Sequence, residues 1–201
     1  MVTKARTYTT HYPGLIDSNY ASSLYVHLRD STQWIDGIKS VKGFTRKAKP
    51  LSKGDNKAVD YIIDTVCINV KKHCDGYTLD GIYLNYYRNG NDWTPSHSHP
   101  GQRQIVISLG ATRKLIVGKK TYPQANGYVI IFGSSSHEVP KELEIKEGRI
   151  SIALFFTPTS IIQQCETADQ EAIMAALQGL GLTNGQRVEF VNNGSVYAVV
   201  T

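Results

Sequence analysis

The chain predicts an α+β domain, mainly β, with N-terminal helices packed on one face of a jelly-roll-like sandwich. Three observations predict it. Two segments of helical period come first; past Cys74-Asp75-Gly76 the period shifts from about 3.6 to about 2; short β-branched or aromatic runs then follow to Thr157, separated by Gly, Pro, Asn or Ser. At 201 residues, 41% hydrophobic and 19% charged, the chain is long enough to bury a core around a site. The expected organisation is a core domain over 1–157 and a C-terminal extension over 158–201, docked on the core.

From Asp17 to Arg29 the apolar residues Tyr20, Ala21, Leu24 and Leu28 recur at helical spacing behind an Asp17 or Ser18 cap. A second helix is expected from Asn56 to His73, where Val59, Ile62, Ile63, Val66, Cys67 and Val70 share a stripe. Strands are expected at Leu79–Tyr87, Gln104–Leu109, Thr112–Val117, Gly127–Phe132 and Arg149–Phe156. In the extension, Thr167-Ala168-Asp169-Gln170 resembles a capping box opening a helix through Leu177, which Gly179 and Gly181 stop. Arg187–Val191 and Val196–Val200 then flank the tight-turn sequence Asn192-Asn193-Gly194 as a hairpin.

Composition narrows the function classes. No apolar run approaches the roughly 20 residues that span a bilayer, and the first ten residues lack the apolar core of a secretory signal. No membrane role is expected, and the expected location is intracellular: cytoplasm, nucleoid or nucleus. Cys67, Cys74 and Cys165 have neither even number nor C-x-x-C spacing, so they read as buried thiols rather than a disulfide framework or zinc knuckle. A net charge of +5 is compatible with a polyanionic partner. Basic clusters at Thr45 to Lys49 and at Arg113-Lys114 with Lys119-Lys120 read more readily as solvated faces than as a partner surface.

The informative stretch is Leu84 to His99. On an extended strand, positions two apart point to one face, so His97 and His99 aim two imidazoles at one point. His137 follows a strand forty residues further on, where a sandwich can fold it over that pair. Three such ligands hold a divalent ion and leave positions open for other molecules. Arg149, twelve residues beyond His137, suits bidentate grip of a carboxylate, with the Ser151 hydroxyl in support. A bare H-x-H or R-x-S carries little; the ordered set carries much more.

That set resembles the AlkB family of iron- and 2-oxoglutarate-dependent dioxygenases, whose pattern runs N-x-Y, Gly, H-x-D, a distal His and R-x-[NS]-x-x-x-R. The likeness covers about Tyr77 to Phe156, and Leu84-Asn85-Tyr86-Tyr87-Arg88-Asn89-Gly90-Asn91-Asp92 follows it almost without interruption. It implies a double-stranded β-helix, Fe(II), 2-oxoglutarate as cosubstrate and O2. It implies that Asn85 and Tyr87 bind 2-oxoglutarate, that His97 and His137 bind iron, and that Arg149, aided by Ser151, holds the far carboxylate.

Two positions depart from the family. His99 stands where it has aspartate, leaving three readings of the third metal position: His99 itself, water, or a carboxylate from elsewhere. Asp92 occupies the family's structural G-x-D aspartate, and Glu138 points away if its segment is extended. Phe155 replaces the second family arginine.

The resemblance implies oxidative removal of N-methyl groups from alkylated bases in DNA or RNA, as in DNA repair, with nucleic acid as partner. Tyr83, Trp93 and Arg46 are then candidate contacts to a flipped base or single strand. The alternatives are a hydroxylase of another modified base, a protein or a small molecule, and a metal-binding homologue with lost or altered activity.

Overall fold

A computed structural model describes residues 8–36 and 45–159, and the backbone of 189–191 and 195–197. Its elements are β1 (Thr9–Tyr12), α1 (Ser18–Ser31), β2 (Ile35–Asp36), β3 (Lys47–Leu51), α2 (Lys57–Asn69), a 3-10 turn (Lys71–His73), β4 (Tyr77–Tyr87), β5 (Thr94–His97), β6 (Arg103–Gly110), β7 (Arg113–Val117), β8 (Lys120–Gln124), β9 (Val129–Phe132), β10 (His137–Val139), β11 (Arg149–Pro158), β12 (Glu189–Val191) and β13 (Ser195–Tyr197). The larger sheet runs β1-β9-β6-β11-β4-β3-β2 and the smaller β5-β10-β7-β8. These sheets and two helices make the α+β jelly-roll sandwich that the sequence predicts.

Both helices begin where a side chain can satisfy the first free amides. The Asp17 carboxylate accepts from Asn19 and Tyr20, and the Asn56 side-chain oxygen accepts from Ala58 and Val59; such caps contribute about 1 kcal/mol each. Ala21, Leu24 and Leu28 of α1 are buried, as are Val59, Ile62, Ile63 and Val66 of α2. The second helix stops at Asn69, and the predicted stretch to His73 tightens into the 3-10 turn.

The central strands β6, β9 and β11 are buried on both faces, which is why they read as continuous apolar runs. Ile105, Ile107 and Leu109 of β6 stand opposite Leu154, Ile152 and Ile150 of β11 on one face of the sheet, and all are fully buried. Val106, Ile130, Phe132 and Ala153 fall on the other, forming a cluster with Tyr87 and with Leu115, Val117 and Val139 of the smaller sheet. A cavity opens at one side of this second layer.

Several described strands lie outside those the sequence predicts, β1, β2, β3, β8 and β10 among them. The segment Lys-Ala-Lys-Pro-Leu at 47–51 reads as a solvated basic run, yet forms β3 along β4, with Lys47 opposite Tyr86 and Pro50 opposite Tyr83. Its outer neighbour β2 pairs only with Lys47 and Ala48. Pro50 therefore sits where an outward amide needs no partner. Strand β1 pairs with β9 through Thr9 to Tyr12, four half-buried residues with no apolar alternation to announce them.

The chain divides into two compact units, Met1–Asp75 with Leu79–Phe156, and Gly76–Thr78 with Thr157–Thr201. Within the second, the Thr159 amide donates to the Gly76 carbonyl at 2.9 Å. In the predicted hairpin, β12 pairs antiparallel with β13, Phe190 opposite Val196. The predicted helix from Thr167 to Leu177, and Cys165, lie outside the described residues. No described helix is long and apolar enough to cross a membrane.

The loop leading into β5 is tied down by a buried ion pair. Arg113, 1% exposed, meets Glu142, 7% exposed, at 3.0 Å. Its remaining donors reach the carbonyls of Asn89, Asp92 and Pro140 at 3.0, 2.9 and 2.6 Å. Gly90 passes so close beneath that a Cβ there would collide with the Glu142 carbonyl. Removing one partner strands the other charge. Arg113→Ala should therefore lower unfolding free energy by about 3–5 kcal/mol in urea denaturation, and a loss below about 1 kcal/mol would show that the pair does not hold the loop.

Candidate metal centre

Two short strands of the smaller sheet set the centre. His97 ends β5 and His137 begins β10, and the two are direct partners across the ladder. Their ring centroids lie 4.2 Å apart, and the His99 ring lies 5.1 Å from His97 and 5.5 Å from His137. One ligating nitrogen from each lies within 4.8 Å of the others, close enough to share one ion. His99 completes the set; Glu138 and Asp92 are not in it.

Local bonds ready two of the rings. His97 Nδ1 donates to the Pro95 carbonyl at 2.8 Å, and His137 Nδ1 faces the Ser135 carbonyl at 3.3 Å. A ring that donates through Nδ1 presents its Nε2 lone pair outward, as a metal ligand must. Burial, helped by His97 and His99, pushes the His137 pKa down to about 3. Burial and the neighbouring His97 also lower that of His99. Both rings are neutral at neutral pH with lone pairs free.

The histidines border a cavity of about 510 Å³ that Arg149 also lines. Arg149 is 1% exposed. Its Nε donates to Ser108 Oγ at 2.8 Å, while Nη1 and Nη2 meet no protein acceptor among the described residues. Burial lowers its pKa to about 10, which leaves it charged at neutral pH. The Tyr87 ring lies 5.5 Å from its guanidinium carbon, and the Tyr87 hydroxyl bonds Thr94 Oγ1 at 2.8 Å. Asn85 Nδ2 donates to Ser151 Oγ at 3.4 Å, so all four residues expected to hold the cosubstrate line one wall.

Of the candidate substrate contacts, Arg46 and Tyr83 line the cavity, but Trp93 does not. Lys141 Nζ stands 5.9 Å over the Trp93 ring instead. The reason is a bulge: from Thr94 to His97 the strand spans three steps, opposite the two from Val139 to His137. Thr94 and His97 therefore both face inward, and Trp93, beside Thr94, faces out. Counting back by twos from His97 puts it inside.

Asp80 and Glu138 also border the cavity, but each lies one residue off the inward set of Gly81, Tyr83, Asn85 and Tyr87 or of His137 and Val139. Strand alternation turns their carboxylates away. Cations and neutral groups face inward, an environment suited to an anion.

Sequence reading missed Gln104, a buried cavity residue whose Nε2 has no partner among the described residues. It also missed the Arg113 and Glu142 pair. Neither belongs to a local motif: strand register brings Gln104 to the cavity, and the Arg113 and Glu142 pair forms between β7 and the loop after β10.

No protein-family profile and no curated protein sequence matches the chain, but solved structures match its fold. The viral collagen prolyl hydroxylase from Paramecium bursaria Chlorella virus-1, in its 2OG complex, is 15% identical with a TM-score of 0.56, over 74% of this chain and 95% of the viral one. The non-heme alpha ketoglutarate dependent epimerase SnoN from nogalamycin biosynthesis gives 11%, 0.60, 77% and 80%. HygX from Streptomyces hygroscopicus, with nickel and 2-oxoglutarate bound, gives 12%, 0.58, 76% and 84%. The fold is thus one found among 2-oxoglutarate- and iron-dependent oxygenases. Three imidazoles whose ligating nitrogens lie within 4.8 Å of one another fit a divalent first-row metal, and a buried guanidinium with two nitrogens unused among the described residues fits a carboxylate.

His99→Ala should weaken Fe(II) binding by calorimetry about tenfold or more, since even an outer-shell change costs that much. His99→Asp should bind at least as tightly as the natural protein, because a carboxylate adds charge to the same position. Unchanged affinity in both variants would remove His99 from the ligand set.

Proposed function

We propose that the protein is an Fe(II)/2-oxoglutarate-dependent dioxygenase. One observation carries the reading: three metal-competent histidines and a buried, half-satisfied arginine converge on one cavity. His97, His99 and His137 hold the iron, Arg149 and Ser151 receive one carboxylate of the keto acid, and Asn85 and Tyr87 bound its chain. When bound, the iron and keto acid supply oxidation by O2, with 2-oxoglutarate consumed to succinate and CO2. The protein's own share is positioning and exclusion of water: Tyr87 and Thr94 are locked together, and Phe155 packs edge-on against His99 at 4.8 Å. This machinery lies in the proposed oxygenase domain, 1–157, and 158–201 is read as its extension.

Within that class the substrate read first is an alkylated nucleobase in DNA or RNA, demethylated as AlkB-type enzymes do. The N-x-Y to R-x-S order supports it, as does a cavity edge that offers the Tyr83 ring and Arg46. Arg46 Nε donates to Thr94 Oγ1 at 2.9 Å, which fixes this cation beside the cosubstrate wall. A second reading, hydroxylation of a protein or small molecule, is favoured by the outward position of Trp93, which leaves fewer surfaces for base stacking.

Succinate formation with and without methylated single-stranded DNA separates these readings. Stimulation by the DNA is the expected result; turnover indifferent to it would favour the second reading, and none under any condition would contradict the dioxygenase. Arg149→Met should raise the 2-oxoglutarate concentration for half-maximal turnover about a hundredfold or more, the usual scale for cutting one partner from a buried charged pair. An unaltered requirement would place the acid elsewhere.

A further inference from the structure

Gln104 lies on β6, between β9 and β11, and is 1% exposed. Its partners across the two ladders are Phe132 and Phe155. The Phe132 ring lies 4.9 Å from His137, and the Phe155 ring lies 4.8 Å from His99. Gln104 thus stands between the two rings that pack on two of the three histidines, and its side chain shares their cavity. Its amide nitrogen has no nitrogen, oxygen or sulfur acceptor among the described residues, and an aromatic face is at best a weak one. A buried amide donor left in that condition costs about 1–3 kcal/mol.

Four residues along the same strand, Ser108 holds the Arg149 guanidinium. At about 3.3 Å per residue the two positions are about 13 Å apart, so donors stand at both ends of one cavity. Gln104 is at the histidine end and Arg149 at the other. A short diacid whose first carboxylate meets Arg149 presents its second toward the histidines, within the field of Gln104.

We propose that Gln104 is a binding residue for the cosubstrate, its Nε2 donating to the metal-side carboxylate of 2-oxoglutarate. The proposal rests on the dioxygenase reading and adds to it. It makes the cavity a two-ended reader of a diacid, with a charged grip at one end and a neutral donor at the other. A neutral donor suits that place, since a cation beside the histidines would oppose the bound metal.

The test uses the full-length protein loaded with Co(II), titrated with 2-oxoglutarate in a calorimeter. Gln104→Met keeps length and removes the donor; it should weaken 2-oxoglutarate about tenfold or more, the scale of a hydrogen bond to a charged acceptor. Gln104→Glu should weaken it at least as far through like charge. Co(II) affinity without the acid should stay unchanged in Gln104→Met. The thermal midpoint of that variant, free of metal and acid, should hold or rise, because no protein bond is lost.

A lowered midpoint with unchanged 2-oxoglutarate affinity would make Gln104 a packing residue and overturn the proposal alone. Failure of the natural protein to bind 2-oxoglutarate at all would overturn the dioxygenase reading, and this proposal with it.

Discussion

The arrangement turns on the placement of a single charge. A guanidinium at 1% exposure with two nitrogens unused among its protein neighbours is expensive to bury. Ser108 meets one donor and the Tyr87 face supplies partial relief, but the rest of the demand is directed into the cavity. The surroundings are built for that demand. The inward faces of β4, β6 and β11 carry Asn85, Gln104 and Ser151, while the acidic residues at the rim turn outward. An anion is the natural counterpart, and the same cavity is bordered by three histidines close enough to share one metal ion.

The two sheets divide the labour. The larger sheet supplies the wall that carries Asn85, Gln104, Arg149 and Ser151, its central strands anchored on both faces by apolar packing, which is what allows a charged residue to be held there without collapse. The smaller sheet carries His97 and His137 on two short strands, with His99 just past the end of the first, and its geometry is less self-sufficient. It therefore borrows rigidity from the Arg113 and Glu142 pair and from the close approach at Gly90. The bulge in β5 serves the same end, turning Thr94 and His97 onto one face so that the Tyr87 lock and the metal centre can coexist.

Much of this was legible from the residues in order. The period change located the sheets, the apolar stripes behind an Asp17 or Ser18 cap and from Asn56 onward located the helices, and the two-residue spacing of His97 and His99 with a distal His137 marked the centre. Much of what escaped depends on pairings far apart in the chain. Lys47 to Leu51 form a strand because β4 lies alongside and little lies outside. Gln104 matters because Phe132 and Phe155 flank it across two ladders. Trp93 was expected at the site as an aromatic close in sequence to His97 that could stack on a base, and the bulge that sets the inward residues of β5 is invisible in the sequence.

The central claim is that one cavity holds metal and keto acid together, and the most direct measurement is an anaerobic titration of Fe(II) and 2-oxoglutarate followed in the visible. The account predicts a weak charge-transfer band that requires both components and saturates at one equivalent of iron. Iron that binds without producing such a band when the acid is added would contradict it.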